Sequence, residues 1–306
     1  MDKCLRCKLH INYREAKHGF HNRCFQEEFN LASDDDFVDL VPRKSNSSPV
    51  LKSDFQSRIA SSFFHGAFKK YSSRMGQKKY ILKVQEEKYP ELPHVEFLSN
   101  KLAEFMGVKV ADYHFIMFNN EVPTFVTRNF LDDYPAGNLV HIWHYLKQES
   151  IDEFNCENLL NIIFNETQRP LDQRRFIEIC LFDMIVGNHD RHGRNLAIIE
   201  MKGKKILAPC YDNPSYIGIE DDFILGANLC PKGKIFTSNS QEPDISDYIR
   251  EFTSLGHGEV VTSFFDRIQV EKIEKLVLSS SMTEKRKAAI LKLIKENMEK
   301  AKNEFK

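Results

Sequence analysis

The sequence lacks three features that would each define a class of protein. It has no run of about eighteen apolar residues that could cross a membrane, and its first residues, MDKCLRCKLH, contain no apolar segment resembling a secretory signal. It also lacks an excess of positive charge, because 43 Lys and Arg stand against 44 Asp and Glu, for a net charge of −1. This balance argues against binding of nucleic acid through bulk positive charge. We therefore expect a cytoplasmic protein.

Cysteine is sparse, and no internal repeat is evident. Seven Cys are scattered over 306 residues, and this odd number fits reduced thiols better than a framework of disulfides. The composition is otherwise that of a globular protein, with 42% hydrophobic and 28% charged residues. A chain of this length can bury a full core and is expected to form two lobes or domains.

Potential metal ligands are concentrated near the N-terminus, in residues 1–30. The pattern C-x2-C…H-x2-C is formed by Cys4, Cys7, His21 and Cys24. Two short turns could each present two of these ligands to a tetrahedral zinc ion, while His10 and His18 are further candidates. The alternative is a small cap in which the Cys are simply buried beside Phe side chains. If zinc is bound, we expect its removal to loosen only residues 1–30, because the rest has its own hydrophobic centre.

The next two segments differ in character. Residues 31–54 contain an acidic cluster, two Pro and a run of Ser and Asn, which predicts a linker or exposed loop. Residues 55–130 favour a β-rich lobe, because short apolar or alternating runs over residues 78–84 and 113–118 predict strands, and a third run follows the turn at Asn119 and Asn120. Between the first two strands, apolar residues at helical spacing end at Gly107 and predict one helix packed on the sheet.

The pattern becomes helical over residues 131–306. Pro170 opens a long helix that runs into an apolar segment, and a capping box from Ser281 to Glu284 starts the C-terminal helix. The Lys-rich face of that last helix is interpreted as a solvated surface. The sequence thus predicts an α+β fold with two lobes, a β-rich N-lobe and a mostly α-helical C-lobe.

A short polar loop in the apolar stretch LFDMIVGNHDRHGRNLAII carries the candidate chemistry. Asp190 and Asn195 lie five residues apart, and Asp212 follows a predicted hairpin. Phosphoryl transfer needs one carboxylate to accept the proton of the nucleophile, and an oxygen ligand and a second carboxylate to hold Mg²⁺ on the nucleotide phosphates. Lys83 on a predicted strand and Glu96 on the next helix supply the pair that positions the phosphates. The five residues follow the order found in protein kinases.

Each of these features has a plainer interpretation when it is taken alone. Asn, Asp and Gly in a loop often only turn the chain and cap helices, and a strand Lys or a helix Glu is common on any solvated face. The ordered set of five favours kinase chemistry. A metal-dependent hydrolase using His189, Asp190 and His192 is a further alternative, although no second His/Asp cluster completes its site.

The stretches GNHDRHGRN and APCYDNPS closely resemble the signatures G-N-x-D-x-H-x-x-N and A-P-x-Y-D of HipA-like serine/threonine kinases. The Cys/His cap resembles that of many short members of the family. The resemblance implies a two-lobed, protein-kinase-like (HipA-like) fold. HipA has an additional N-terminal subdomain for which this sequence has no room, so the chain looks like the compact HipT type. In that type a small HipS-like protein from a HipBST-like toxin–antitoxin operon supplies the missing part.

The resemblance also implies cofactors, roles and partners. ATP and Mg²⁺ are the implied cofactors, with Asp190 as proton acceptor, Asn195 and Asp212 as metal ligands and Lys83 on the phosphates. The backbone of residues 127–129 is the implied adenine hinge. Nucleotide contacts are implied for His65, Gly66, Ala67, Lys70, Lys83, Glu96, Thr127, Arg128, Asn129, His192, Gly193, Arg194, Asn195, Tyr211 and Asp212. The implied partners are a protein substrate such as an aminoacyl-tRNA synthetase and an antitoxin with a DNA-binding helix-turn-helix, without direct contact to nucleic acid or membrane.

The phosphate loop departs from the family pattern S-I-x-G-x-Q-x-K. Gly66 and Lys70 align with it, but Phe68 replaces the Gln. Family members autophosphorylate a Ser of this loop to silence the kinase, and here Phe63 and His65 occupy the positions where Ser is expected.

Two serines just before that position, Ser61 and Ser62, are therefore the candidates for autophosphorylation. Two alternatives to a toxin kinase follow from the sequence. The unusual phosphate loop fits a pseudokinase that only binds a partner, and nothing in the sequence opposes a kinase effector that is exported into a host cell.

Overall fold

A five-stranded antiparallel sheet with the strand order β1-β2-β3-β5-β4 forms the centre of the first lobe. The strands are β1 (Val38–Arg43), β2 (Lys70–Met75), β3 (Lys78–Val84), β4 (Tyr113–Phe118) and β5 (Val122–Arg128). The computed structural model describes residues 3–43, 70–146, 153–218, 225 and 231–305. The strands predicted at residues 78–84 and 113–118 are confirmed. So is the turn at Asn119 and Asn120, both of which have positive φ.

Strand β1 lies where the sequence indicated a linker or exposed loop over residues 31–54. It pairs with β2, and Pro42 stands opposite Tyr71. A Pro is tolerated here because, among the described residues, β1 is an edge strand and has no partner on its other side. The structure therefore differs from the sequence-based expectation at residues 38–43, while residues 44–54 lie outside the described part of the chain.

The Cys/His segment forms the outer layer of this sheet. Helix α1 (Asn22–Phe29) buries Phe25 and Phe29, and the ring of Phe29 lies 5.8 Å from that of Tyr80 in β3. One continuous apolar cluster includes Cys4, Ile11, Phe20, Phe25, Phe29, Phe37, Met75, Tyr80, Leu82, Ile116 and Val126. The segment and the sheet thus share a single hydrophobic core.

Helix α2 (Leu92–Phe105) packs against β4 and β5 on the opposite side of the lobe. It ends where the sequence predicted, because Gly107 adopts φ +80°, a left-handed conformation that favours glycine. A Cβ atom at Gly107 would lie 2.5 Å from Nη1 of Arg267. Helix α2 also buries Val95 and Leu98 in the core of the second lobe, and so it joins the two lobes.

The second lobe is mostly helical, as predicted. Its helices are α3 (Cys156–Thr167), α4 (Pro170–Val186), α5 (Ile245–Phe252), α6 (Gly258–Asp266), α7 (Val270–Leu278) and α8 (Glu284–Glu304). A small antiparallel sheet with the order β6-β7-β8 lies beside them and consists of β6 (Asn138–His141), β7 (Ala197–Met201) and β8 (Lys204–Leu207). None of the helices in the described ranges is long and apolar enough to cross a membrane.

Helix α4 is the centre of this lobe, and its end fixes the start of the polar loop. Residues 176–186 of the helix are all buried, which is typical of a core helix. Gly187 caps it at φ +72°, and a Cβ atom there would lie 2.6 Å from Cδ2 of Leu293. Glycine therefore allows the chain to turn sharply out of α4 in a crowded place.

The predicted capping box at the start of α8 is wrong. The N-cap residue is Thr283, whose side chain makes no capping bond. Its backbone N and its Oγ1 instead donate to the carboxylate of Glu91 at 2.6 and 2.9 Å, and Nε of Arg286 donates to the same carboxylate at 2.6 Å. Glu91, at the start of α2, thus accepts the hydrogen bonds of the N-terminal end of α8. Capping rules that consider only neighbouring residues do not predict such a contact.

The two lobes are also joined by a short parallel bridge. The N–H of Ala111 donates to the carbonyl of Cys210 at 3.0 Å, and the N–H of Cys210 donates to the carbonyl of Lys109 at 2.7 Å. The bridge ties the segment between α2 and β4 to the segment that follows β8. Cys210, the member of the bridge in the second lobe, lies two residues before Asp212.

Candidate active site

The polar loop over residues 187–195 is held by hydrogen bonds at its beginning. Asn188 donates from Nδ2 to Oδ1 of Asp183 in α4 at 2.8 Å, and its own Oδ1 accepts the N–H of Asp190 at 3.1 Å. Asp190 and Asn188 are both buried. The backbone position of Asp190 is therefore fixed by Asn188.

Arg191 fastens this loop to the second candidate loop. Its guanidinium forms a bidentate ion pair with Asp183, with distances of 2.7 and 2.9 Å. It also donates to the carbonyls of Asn195 and Tyr211, both at 2.9 Å, and to Oδ1 of Asn213 at 2.6 Å. One buried cation thus fixes the ends of both loops.

Asn195 lies against Asp190. Its Nδ2 donates to the carbonyl of Asp190 at 3.1 Å, so the amide oxygen is the atom that remains for a metal ion. Nε2 of His192 lies 3.9 Å from Oδ1 of Asp190. Nδ1 of the same ring accepts the N–H of Arg194 at 3.1 Å and holds its orientation.

Lys83, Glu96 and Asp212 meet between the lobes. Nζ of Lys83 lies 2.5 Å from the carboxylate of Glu96 and contacts the carboxylate of Asp212, which Nζ of Lys70 also approaches at 3.4 Å. Lys83 and Glu96 are buried, whereas a quarter of the Asp212 side chain is exposed. Asp212 adopts φ +55°, a left-handed backbone conformation that is uncommon for residues other than glycine.

In this group, the opposite charges of Lys83 and Asp212 stabilise each other. Burial would lower the pKa of the Lys83 ammonium, but Asp212 and Glu96 raise it above its ordinary value. Burial would likewise raise the pKa of the Asp212 carboxyl, but Lys70 and Lys83 hold it well below its usual range. At neutral pH the group therefore contains a charged lysine next to an ionised aspartate.

The backbone N–H groups of the predicted adenine hinge already have partners within the chain. At the end of β5, the N–H of Arg128 donates to the carbonyl of Asp112, and the N–H of Asn129 donates to the carbonyl of Lys79, both at 2.8 Å. Thr127 stands opposite Ile81 in the sheet. An adenine ring bound here would need other backbone groups, and its contact with residues 127–129 stays a prediction.

The remaining predicted positions fall into three groups. Tyr211 donates from its hydroxyl to the carbonyl of Arg194 at 3.0 Å, and Gly193 accepts the N–H of Trp143 at 3.2 Å, so these residues brace the loops. Lys70 reaches the site from β2. The phosphate-loop and autophosphorylation candidates lie outside the described residues: Ser61, Ser62, His65, Gly66 and Ala67.

The four predicted zinc ligands are brought together at the edge of the first lobe. Their ligand atoms all lie within 4.8 Å of one another: Cys4, Cys7, His21 and Cys24. Within the part of the chain that the structure describes, this is the one group of three or more such side chains. His189, Asp190 and His192 are not part of such a group.

Sequence reasoning missed the residues that position the site. Asp183, Arg191 and Asn100 had no assigned role. Asn100 accepts from Nδ2 of Asn213 at 3.1 Å and donates from its own Nδ2 to the carbonyl of Glu96 at 2.8 Å. Residues 211–214 were expected near the nucleotide, and Asn213 instead contacts Arg191 and Asn100. A signal was present in the sequence, because Asp183 is the one acid within the apolar run of residues 181–186 and a buried carboxylate needs a partner.

A strand lysine paired with a helix glutamate, facing an Asp–Asn loop and a second Asp, defines the class of protein-kinase-like folds. The chain belongs to the family described as HipA-like C-terminal domain, whose sequence profile matches residues 62–238. Comparison with curated protein sequences gave no significant match. Both the family and the two-lobed fold predicted from the sequence are confirmed.

Two solved structures share this fold. The Helicobacter pylori proinflammatory kinase CtkA matches with a TM-score of 0.62 and 17% identity, over 76% of this chain and 90% of that protein. HipA of Shewanella oneidensis MR-1, in a toxin–antitoxin complex with HipB and operator DNA, matches with a TM-score of 0.52 and 14% identity. That match covers 73% of this chain and 58% of HipA. At these identities the likeness concerns the fold.

Proposed function

We propose that this protein is an ATP- and Mg²⁺-dependent protein serine/threonine kinase. The observation that carries the proposal is the position of Lys83, whose ammonium lies between the carboxylates of Glu96 and Asp212. In protein kinases the Lys–Glu pair positions the nucleotide phosphates and the following Asp binds the metal. Membership of the HipA-like family supports the same chemistry.

The loop residues would perform the transfer. The carboxylate of Asp190 accepts the proton of the substrate hydroxyl as that oxygen forms its bond to the γ-phosphorus, and the bond to the ADP oxygen breaks. Mg²⁺, when bound with the nucleotide, neutralises the charge on the phosphates. The oxygen of Asn195 and the carboxylate of Asp212 are the hard oxygen donors that suit this ion.

Lys70 and Lys83 explain how Asp212 becomes available to a metal ion. In the chain alone both ammonium groups face its carboxylate. Nucleotide phosphates offer the two lysines new anionic partners, and their movement toward the phosphates releases the carboxylate of Asp212. We infer that nucleotide and metal ion bind together and that each favours binding of the other.

The biological role we propose is that of a toxin kinase that acts in the cytoplasm. Support comes from the similarity to HipA, which was found together with HipB and operator DNA. The partners proposed on this basis are an antitoxin with a DNA-binding helix-turn-helix and a small HipS-like protein. The proposed substrate is a translation component such as an aminoacyl-tRNA synthetase.

A second role is an effector kinase exported into a host cell. It is favoured by one observation, the similarity to a protein described as a proinflammatory kinase, over 90% of that protein. The catalytic chemistry is the same for both roles. They differ only in where the substrate is found.

Labelled ATP tests the chemistry directly. The purified chain is incubated with a bacterial lysate, with Mg²⁺ or with EDTA, and Asp190→Asn serves as the inactive comparison. We expect label on protein only with Mg²⁺ and the unmutated chain. Binding of Mg-ATP without any transfer, both in this lysate and in a lysate of animal cells, would support a pseudokinase instead, and no binding at all would overturn the proposal.

Expression in bacterial cells distinguishes the two roles. Growth arrest that requires Asp190 would support a toxin. Unimpaired growth, together with labelling of a protein only in a lysate of animal cells, would support an exported effector.

A further inference from the structure

The Cys/His cluster near the N-terminus has the geometry of a metal site. Cys4 and Cys7 lie in a tight turn, closed by the N–H of Lys8 donating to the carbonyl of Cys4 at 3.0 Å. His21 precedes α1, and Cys24 lies in its first turn. The turn and the helix start therefore present two ligands each, from opposite sides.

The separations within the cluster agree with those of a tetrahedral zinc ion. Bond lengths of about 2.3 Å to sulfur and about 2.0 Å to nitrogen give sulfur-to-nitrogen separations of about 3.5 Å. Nδ1 of His21 lies 3.4 Å from Sγ of Cys7 and 3.9 Å from Sγ of Cys24. No large rearrangement of the chain is needed to place a metal ion among these atoms.

A second observation concerns the orientation of the His21 ring. Its Nε2 lies 3.0 Å from the backbone carbonyl of His10. Because a carbonyl can only accept, Nε2 carries the proton, and Nδ1 is left with a lone pair directed at the sulfurs. Metal-binding His residues are commonly held in this way by a carbonyl on the far nitrogen.

The structure also decides between the candidate histidines. His18 donates from Nε2 to Oδ1 of Asp36 at 2.7 Å, and its Nδ1 accepts the N–H of Asn119 at 3.0 Å. Both ring nitrogens are thus committed to the fold. His10 contributes its backbone carbonyl to the ring of His21, and its own ring is not part of the cluster.

We propose that Cys4, Cys7, Cys24 and Nδ1 of His21 bind one structural Zn²⁺ ion. The three thiols bind as thiolates and release their protons to solvent. All four positions are filled by protein ligands, as in structural rather than catalytic zinc sites.

The effect of this metal extends beyond the N-terminal segment. Tyr80 and Leu82 of β3 are buried in the core shared with α1, whereas Lys83, the next residue, points to the opposite face and meets Glu96. We therefore expect metal removal to loosen more of the chain than residues 1–30, the range that the sequence alone indicated. Loss of zinc exposes one face of β3 and loosens the strand that carries Lys83.

Metal analysis of the purified full chain is the first test. We expect about one zinc ion per chain. His21→Ala should lose the metal, whereas His10→Ala should keep it, because the His10 ring lies outside the cluster and the carbonyl of residue 10 remains. A metal-free chain, a disulfide among the three Cys by mass spectrometry, or equal metal loss in the two variants would overturn the proposal.

Hydrogen exchange provides a readout that does not depend on catalysis. After removal of zinc by a chelator, amide protection should fall in residues 3–30 and also in β3, and it should return when zinc is added. Unchanged protection throughout would show that the metal is not structural. These outcomes do not depend on the proposed kinase activity, so failure of one proposal leaves the other standing.

Discussion

Arg191 in the polar loop and Asp183 in α4 form a bidentate ion pair whose side chains are only 4% and 5% exposed. Arg191→Met leaves the Asp183 carboxylate buried without its cation, which costs about 3–5 kcal/mol. Urea unfolding should show this loss. Arg74→Met is the control, because the Arg74–Asp39 pair is largely exposed and should contribute little. Equal losses in the two variants would show that burial does not set the strength of the central pair.

Asp190→Asn should abolish most catalysis without unfolding the protein. The side chains are nearly isosteric, and the hydrogen bond from the backbone of residue 190 to Asn188 is retained. Loss of a general base typically reduces the rate by a factor of ~10²–10⁴. Single-turnover phosphoryl transfer measures the rate, and calorimetry should show that Mg-ATP still binds. A mutant as fast as the unmutated chain would remove Asp190 from the role.

Asp212→Asn should weaken Mg-ATP binding, because the substitution removes a charged metal ligand. It should not weaken metal-free ATP binding, because Lys70 and Lys83 lose an anionic partner that competes with the phosphates. Asp39→Asn is a matched control, since Asp39 also has φ +55° but is largely exposed. Calorimetry with and without Mg²⁺ separates the effects. Identical losses under both conditions would contradict the assignment of Asp212.

Lys83→Ala should weaken binding of ATP both with and without Mg²⁺, because the lysine contacts the phosphates themselves. Lys79→Ala provides the comparison on the same strand, since the side chain of Lys79 is exposed. If the two variants bound ATP equally well, the proposed role of Lys83 would be lost.

Acidification should destabilise the protein through His189. Burial and the nearby charge of Lys234 lower the pKa of its imidazole to about 4. Between that value and the ordinary pKa of about 6.5, the unfolded chain binds a proton that the folded chain does not, so stability falls as the pH falls through this window. Urea unfolding at several pH values should show it, and His189→Gln should flatten the dependence. If the variant showed the same dependence of stability on pH, other titrating groups would be its cause.

Local signals in the sequence were sufficient to predict the elements β3, β4, α2 and α4. Each has a clear period of apolar residues, and Gly107 and Gly187 mark the ends of the two helices through their left-handed conformation. The spacing of Asp190, Asn195 and Asp212 likewise indicated the two loops. These features depend on residues that are neighbours along the chain.

Contacts between distant residues could not be read in the same way. Glu91 accepts hydrogen bonds from Thr283, 192 residues away, and this contact replaces the predicted capping box. Pro42 argued against a strand, because only the edge position of β1 makes it acceptable. The roles of Arg191 and of the shared core under α1 depend on tertiary packing, which no local pattern encodes.

The bridge between Ala111 and Cys210 limits how the proposed nucleotide cleft can open. The lobes are connected by the chain that follows β5, by this bridge and by helix α2, which packs into the core of the second lobe, so large relative movements of the lobes are opposed. Asp212 lies two residues from the bridge, so its carboxylate is held close to a fixed point. Exchange of nucleotide would then depend on the lysines swinging away from a stationary aspartate, and not on a wide separation of the lobes.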